Sequence, residues 1–175
     1  NTYMVRPRIA RARLESLLKQ FPIVTLLGLR QVGKSTFALN LVERICVRQK
    51  RPALLFSIEM SARQVVSNLL CLHAQVDAHK LRRGFVSDAD YGRLTTAAGP
   101  LHEAPLFRAD TAGISILEMR AKARRIKALS GLDLVLVDYL QLMERGAGSR
   151  AENRQQEISE ISRGLKALGR ELDVP

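Results

Sequence analysis

A chain of 175 residues, 46% hydrophobic but only 5% aromatic and without Trp, is long enough for one domain whose core is filled by aliphatic side chains. It has no apolar run of about 18 residues and no apolar signal core near its start, so a spanning helix and a secretory leader are excluded and a cytoplasmic protein with no membrane partner is expected. The formal net charge of +11 and pI of 10.5 favour an anionic partner, a nucleic acid ahead of a membrane surface.

In chain order, residues 1–8 are polar and basic. Residues 9–20 have helical spacing, with Leu14, Leu17 and Leu18 on one side, so 1–22 reads as a basic N-terminal segment with a helix. Residues 23–27 are a short apolar run that stops at Gly28, the pattern of a buried strand, and they open a domain running from 23 to 175. A helix is expected from residue 33 or 34 to about 47. A second buried strand follows over 53–57, then a helix capped by Ser61 that reaches about His73. Ser87-Asp88-Ala89-Asp90 and Ser115-Ile116-Leu117-Glu118 read as capping boxes that open two more helices, with a strand over 105–110 between them. Residues 132–137 are the clearest strand, ending at Asp138. Residues 144–152 hold Gly146, Gly148 and Ser149 and read as a flexible loop. A last helix over 153–172 lines up Ile158, Ile161, Leu165, Leu168 and Leu172 on one face.

Strands alternating with helices imply right-handed crossovers and a mainly parallel sheet with helices on both faces, an α/β fold. The sequence stops at Val174-Pro175, where such a fold would enter its next strand, so a fragment truncated at its C-terminus is expected. Cys46 and Cys71 lie in apolar stretches without a CxxC pair and read as buried free thiols. His73, His79 and His102 have no metal-ligand spacing, and the sequence names no carboxylate partner for them.

The chemistry begins at Gly28-Leu29-Arg30-Gln31-Val32-Gly33-Lys34-Ser35, a G-x-x-x-x-G-K-S pattern between an expected strand and an expected helix. Glycines let backbone N–H groups wrap phosphates, and the helix that follows points its positive end at them. Gly28, Arg30, Gln31, Val32, Gly33, Lys34, Ser35 and Thr36 therefore form the expected nucleotide-binding set. Lys34 would bridge the β- and γ-phosphates and the Ser35 hydroxyl would sit on magnesium. Asp138, at the end of a buried strand, is the second expected magnesium ligand; taken alone, an aspartate capping a turn would be the favoured reading, but the phosphate-loop pattern upstream displaces it. It is followed by Tyr139, so the base that polarises the attacking water must come from elsewhere. Glu59, just past the second strand, is the candidate, at the rim where ligands of open parallel sheets bind; the rival reading is a charge favourable to the next helix's dipole. Gln141 is placed to sense the γ-phosphate or simply to face solvent. Arg145, Arg150 and Arg154 sit among glycines and suit sugar–phosphate contacts without base reading, or an ordinary solvated loop. Arg120, Arg124 and Lys127 share one helical face, the usual sign of a solvated surface.

From Phe37 onward several stretches resemble the motor domain of the DnaB-type bacterial replicative helicase. They are Phe37-Ala38-Leu39-Asn40, Phe56-Ser57-Ile58-Glu59-Met60-Ser61, Ile114 to Ser130, Asp138-Tyr139-Leu140-Gln141-Leu142, and Glu152 to Arg163. The resemblance implies a RecA-like ATPase core in a hexameric ring, an enzyme that hydrolyses ATP with Mg2+ and translocates 5′ to 3′ on single-stranded DNA. It also implies fork partners such as primase and a loader. Matched residue by residue, Lys34 and Ser35 take the phosphate-loop roles, Glu59 that of the base, Asp138 that of the magnesium ligand, and Gln141 that of a relay from γ-phosphate to DNA. The loop around Arg150 matches a DNA-binding loop. Residues 1–36 instead resemble the start of an AAA-type ATPase, and the family's arginine finger is expected beyond residue 175. An AAA-type regulatory ATPase and a truncated nucleotide-binding module without turnover are the rival readings.

Overall fold

The computed structural model describes residues 34–57, 59–109, 111, 113–138 and 154–175. Among them three strands form one parallel sheet in the order β2-β1-β3: β1 (Ala53–Ser57), β2 (Leu106–Ala109) and β3 (Leu134–Asp138). The central strand reads Ala-Leu-Leu-Phe-Ser, apolar on both faces, as a strand covered on both sides must be. Its side chains alternate between two cores. Ala53 and Leu55 pack with Leu39, Val42, Cys46, Val65 and Leu69 on one side. Leu54 and Phe56 pack with Met119, Ala123, Ile161 and Leu168 on the other. Each of these strand side chains is withdrawn from water almost completely, worth about 1.5–3 kcal/mol for each large one.

The helices are α1 (Lys34–Val42), which runs on into a π-helical segment (Glu43–Arg48), α2 (Ala62–Ala74), α3 (Ala78–Arg83), α4 (Asp88–His102), α5 (Ile116–Ser130) and α6 (Arg154–Leu172). α1 and α2 cover one face of the sheet, and α5 and α6 cover the other. A third cluster, Cys71, Ala74, Val76, Leu94 and Ala97, joins α2 to α4. On α6 the expected apolar face is present: Ile161, Leu168 and Leu172 are buried and Leu165 packs against them. Val135 donates its N–H to the Pro175 carbonyl at 2.8 Å, so the backbone at Pro175 lies along β3 on the side away from β1.

Several boundaries differ from the sequence expectation. The first helix continues to Arg48 by widening into π geometry, and the last strand begins at Leu134 rather than 132. Helix α3 was not expected. Its signals were Asp77, whose carboxylate accepts from His79 N–H at 2.8 Å, and Gly84, whose φ of 75° closes the C-terminus. Ser61 and Ser115 form complete capping boxes with Gln64 and Glu118. Ser87 forms only half of one: its hydroxyl accepts from Asp90 N–H, but the shorter Asp90 side chain pairs with Arg93 rather than with the Ser87 N–H. Cys46 and Cys71 are free and buried, and burial pushes the Cys46 thiol up to about 11, as expected of inert core thiols. The expected elements over 9–20, 23–27 and 144–152 lie outside the described residues.

Candidate nucleotide and catalytic site

Parallel strands all point their carboxyl ends to the same rim, and Glu59 and Asp138 both follow from it. Ser57 and Asp138 are register partners, the last pair between β1 and β3. Glu59 follows two residues beyond Ser57, so both carboxylates belong to one edge. α1 runs from this rim back to the loop that starts β1, which puts its first residues, Lys34, Ser35 and Thr36, at the same end of the sheet. The first turn of α1 carries no acidic side chain to offset the positive end of the helix. Ser35 is half-buried and Thr36 exposed; the Thr36 carbonyl accepts from Asn40 Nδ2 at 2.7 Å, four residues on.

Asp138 differs from the other acids among the described residues. It is 8% exposed, and its Oδ2 is buried with no hydrogen-bond partner among them. An unpaired buried carboxylate oxygen costs several kcal/mol unless something meets it. This orphaned oxygen suits an ordered water or a cation, so the chain's donor fits magnesium, which is commonly held by one or two carboxylates and completed by water and phosphate. Among the described residues no group of three or more His, Cys, Asp or Glu could hold a metal.

Glu59 is exposed, with its carboxylate available to solvent. The chain around it is held on both sides. The Ser57 hydroxyl, buried at the strand end, donates to the Met60 carbonyl at 2.9 Å. Beyond it the Ser61 N–H donates to Gln64 Oε1 at 3.1 Å, half of the capping box that starts α2. Sequence reasoning missed Ser57; the signal was a lone hydroxyl closing an otherwise apolar strand.

The structure therefore brings Lys34, Ser35, Thr36, Glu59 and Asp138 to one rim. Gly28, Arg30, Gln31, Val32, Gly33, Gln141, Arg145 and Arg150 lie outside the described residues, and Arg154 is the first residue of α6. The basic stripe on α5 is not a free surface. Arg120 and Arg124 both pair with Glu171 of α6, the first at 2.7 Å, and Lys127 donates to the Leu132 carbonyl at 2.7 Å. The hydrogen bonds from Arg124 and then Arg120 hold the Glu171 carboxyl down at about 2. His73 also has a partner that the sequence did not name. Its Nδ1 lies 2.7 Å from Oε1 of the buried Glu43, which accepts from Arg48 Nε as well. The π-helical turn explains that pair, because residues five apart face each other there.

Comparison with known proteins gives a consistent picture. The family model described as the DnaB-like helicase C terminal domain matches residues 18–175, a span that takes in residues 28–35 as well as everything after them. The replicative DNA helicase DnaB of Geobacillus stearothermophilus is 43% identical over 163 residues, covering 93% of this chain and 36% of that protein. The replicative DNA helicase DnaC of Bacillus subtilis (strain 168) is 46% identical over 144 residues, covering 82% of this chain and 32% of that protein. The chain thus spans about a third of the length of these curated relatives. Two solved structures superpose with a TM-score of 0.73 and 32% identity over 83% of this chain. One is an ATPase domain, 51% of which is covered, and the other is a DnaB-like replicative helicase described with its interactions with primase, 35% of which is covered.

Proposed function

The chain belongs to the family of DnaB-like helicase C-terminal domains, and from that premise we propose that it is the ATP-driven motor of a replicative DNA helicase. In this reading residues 23–175 are the motor domain, and residues 1–22 are a basic segment that precedes it. The backbone of Gly28, Arg30, Gln31, Val32 and Gly33 wraps the phosphates of ATP, with Thr36 beside them. Lys34 neutralises the β- and γ-phosphate charge, and Ser35 and Asp138 hold Mg2+. When bound, the ion neutralises charge on the phosphate oxygens as the transferred group departs. Glu59 accepts hydrogen bonding from the attacking water and aims it in line with the γ-phosphate. Gln141 relays the state of that phosphate to the segment holding Arg145, Arg150 and Arg154, which grips the sugar–phosphate chain of single-stranded DNA without reading its bases. Movement runs 5′ to 3′ in a hexameric ring, in the cytoplasm, with primase and a loader as partners. No described helix is long and apolar enough to cross a membrane.

The observation that supports this best is the pairing of Ser57 with Asp138, since it puts an exposed Glu59 on one rim with an Asp138 whose buried Oδ2 has no partner among the described residues. Two acids in such different surroundings suit two different tasks, one facing water and the other facing a cation. The test is Glu59→Gln in the full-length protein. ATP affinity should stay within about twofold while turnover falls by at least about a hundredfold, as loss of a positioned base requires. Turnover near the parental rate would remove Glu59 from the role of base.

A further inference from the structure

We infer that Ser57 is a positioning residue for Glu59: its hydroxyl fixes the turn that carries the catalytic carboxylate. The inference rests on the reading of Glu59 as the base. Ser57 is the only polar residue of β1, and it is 1% exposed. A hydroxyl in that position is costly unless paired, and its pairing is not to the sheet. It donates across the turn to the Met60 carbonyl at 2.9 Å, closing a loop that contains Glu59. One anchor of that loop is the backbone pairing of β1 with β3 at Ser57–Asp138. The other is the Ser61–Gln64 capping box. Met60 itself packs against the core under β1, so the accepting carbonyl belongs to a residue that is already held. Glu59 is exposed in this closed turn, and among the described residues no hydrogen bond or ion pair holds its carboxylate. Its position relative to Asp138 is therefore set by the backbone alone. The Ser57–Met60 hydrogen bond spans that stretch of backbone.

A base that must meet one water in line with one phosphate loses rate steeply when it wanders, and misplacement by about 1 Å can cost on the order of a hundredfold. Losing one of three anchors is the milder case, so Ser57→Ala should lower kcat by about tenfold. ATP affinity, which depends on the phosphate loop, should change by less than about twofold. Because Ser57 acts through Glu59, its removal should cost nothing once Glu59 is gone.

The experiment is a double-mutant cycle in the full-length protein: Ser57→Ala, Glu59→Gln and the pair, each measured for single-turnover hydrolysis at saturating single-stranded DNA and for binding of a fluorescent ATP analogue. Ser57→Thr, which restores the hydroxyl, is the rescue variant. Hydrogen exchange of the peptide covering residues 58–63 gives a readout independent of turnover. The expected results are a tenfold fall in Ser57→Ala with recovery in Ser57→Thr, faster exchange over 58–63 in Ser57→Ala with little change over β3, and the same residual rate in Glu59→Gln with or without Ser57→Ala. Parental turnover in Ser57→Ala, or an equal further fall on the Glu59→Gln background, would overturn the inference while leaving Glu59 as the base. Full turnover in Glu59→Gln would overturn both.

Discussion

Ser57 and Asp138 stand opposite each other at the carboxyl ends of β1 and β3, and both are buried. The Ser57 hydroxyl is satisfied by the Met60 carbonyl, whereas Asp138 Oδ2 meets no partner. This asymmetry is what a site open to a cation on one strand and a fixed acidic turn on the next would show.

Asp138→Asn removes a buried negative charge that the fold does not pair. Without nucleotide the substituted protein should melt at the parental temperature or slightly above it. With Mg-ATP at about 100 times Kd the parent gains ~2.7 kcal/mol by binding, and the variant should lose most of that gain. Thermal unfolding with and without Mg-ATP checks both halves; a large fall in Tm without nucleotide would make Asp138 a structural residue.

Glu171 ties α6 to α5 through Arg124 and Arg120, and its carboxyl is held down at about 2. A depressed folded-state value means the bracket is fully present above the unfolded value of about 4.3 and is lost as pH falls through the folded value. Acid titration followed by circular dichroism should show this contribution fading between about pH 4.3 and 2. Glu171→Gln should flatten the curve in that window and lower stability at pH 7 by the same amount, a small one because the group is solvent-accessible. An unchanged acid limb would mean the bracket adds nothing to stability.

Gly164 is where α6 passes closest to the start of α5: a Cβ there would lie 2.6 Å from Ile116 Cγ1. Gly164→Ala should therefore destabilise by about 1–3 kcal/mol despite the better helix propensity of Ala. Ile116→Ala removes the obstructing atom, so the double variant should be more stable than the two single losses added together. Urea unfolding of the four proteins decides this, and strict additivity would count against the close contact.

Glu43 is buried and serves both His73 and Arg48, so it bridges the π-helical end of α1 to α2. Glu43→Gln offers one acceptor oxygen in place of two and should cost about 1–3 kcal/mol in denaturant unfolding. No loss would mean that water serves His73 and Arg48 equally well.

Much of this was legible before any coordinates. Residues 53–57 and 134–138 announce themselves as short apolar runs, Ser61 and Ser115 carry their capping partners three residues on, and Asp138 is the polar residue ending an apolar strand. Glu59 could be assigned to the rim because a strand's end is a local property. The neighbour of each strand was not legible, since order in a parallel sheet is set by long crossovers; only the structure shows Asp138 beside Ser57. The basic stripe on α5 could not be resolved either, because Glu171 lies 47 and 51 residues from Arg124 and Arg120. His73 likewise depends on Glu43, 30 residues earlier, and on a π turn that periodicity at 3.6 residues does not reveal. Ser87 misled in a smaller way: an Asp three residues on looks like a capping partner but is one methylene short of reaching back.

The most direct measurement is the steady-state hydrolysis of ATP by the purified protein at low salt, with and without single-stranded DNA, alongside Glu59→Gln. A DNA-dependent motor built on this rim should hydrolyse ATP several-fold faster when DNA is added, lose that stimulation as salt rises, and fall to background in Glu59→Gln. Turnover indifferent to DNA at every salt concentration, or preserved in Glu59→Gln, would contradict it.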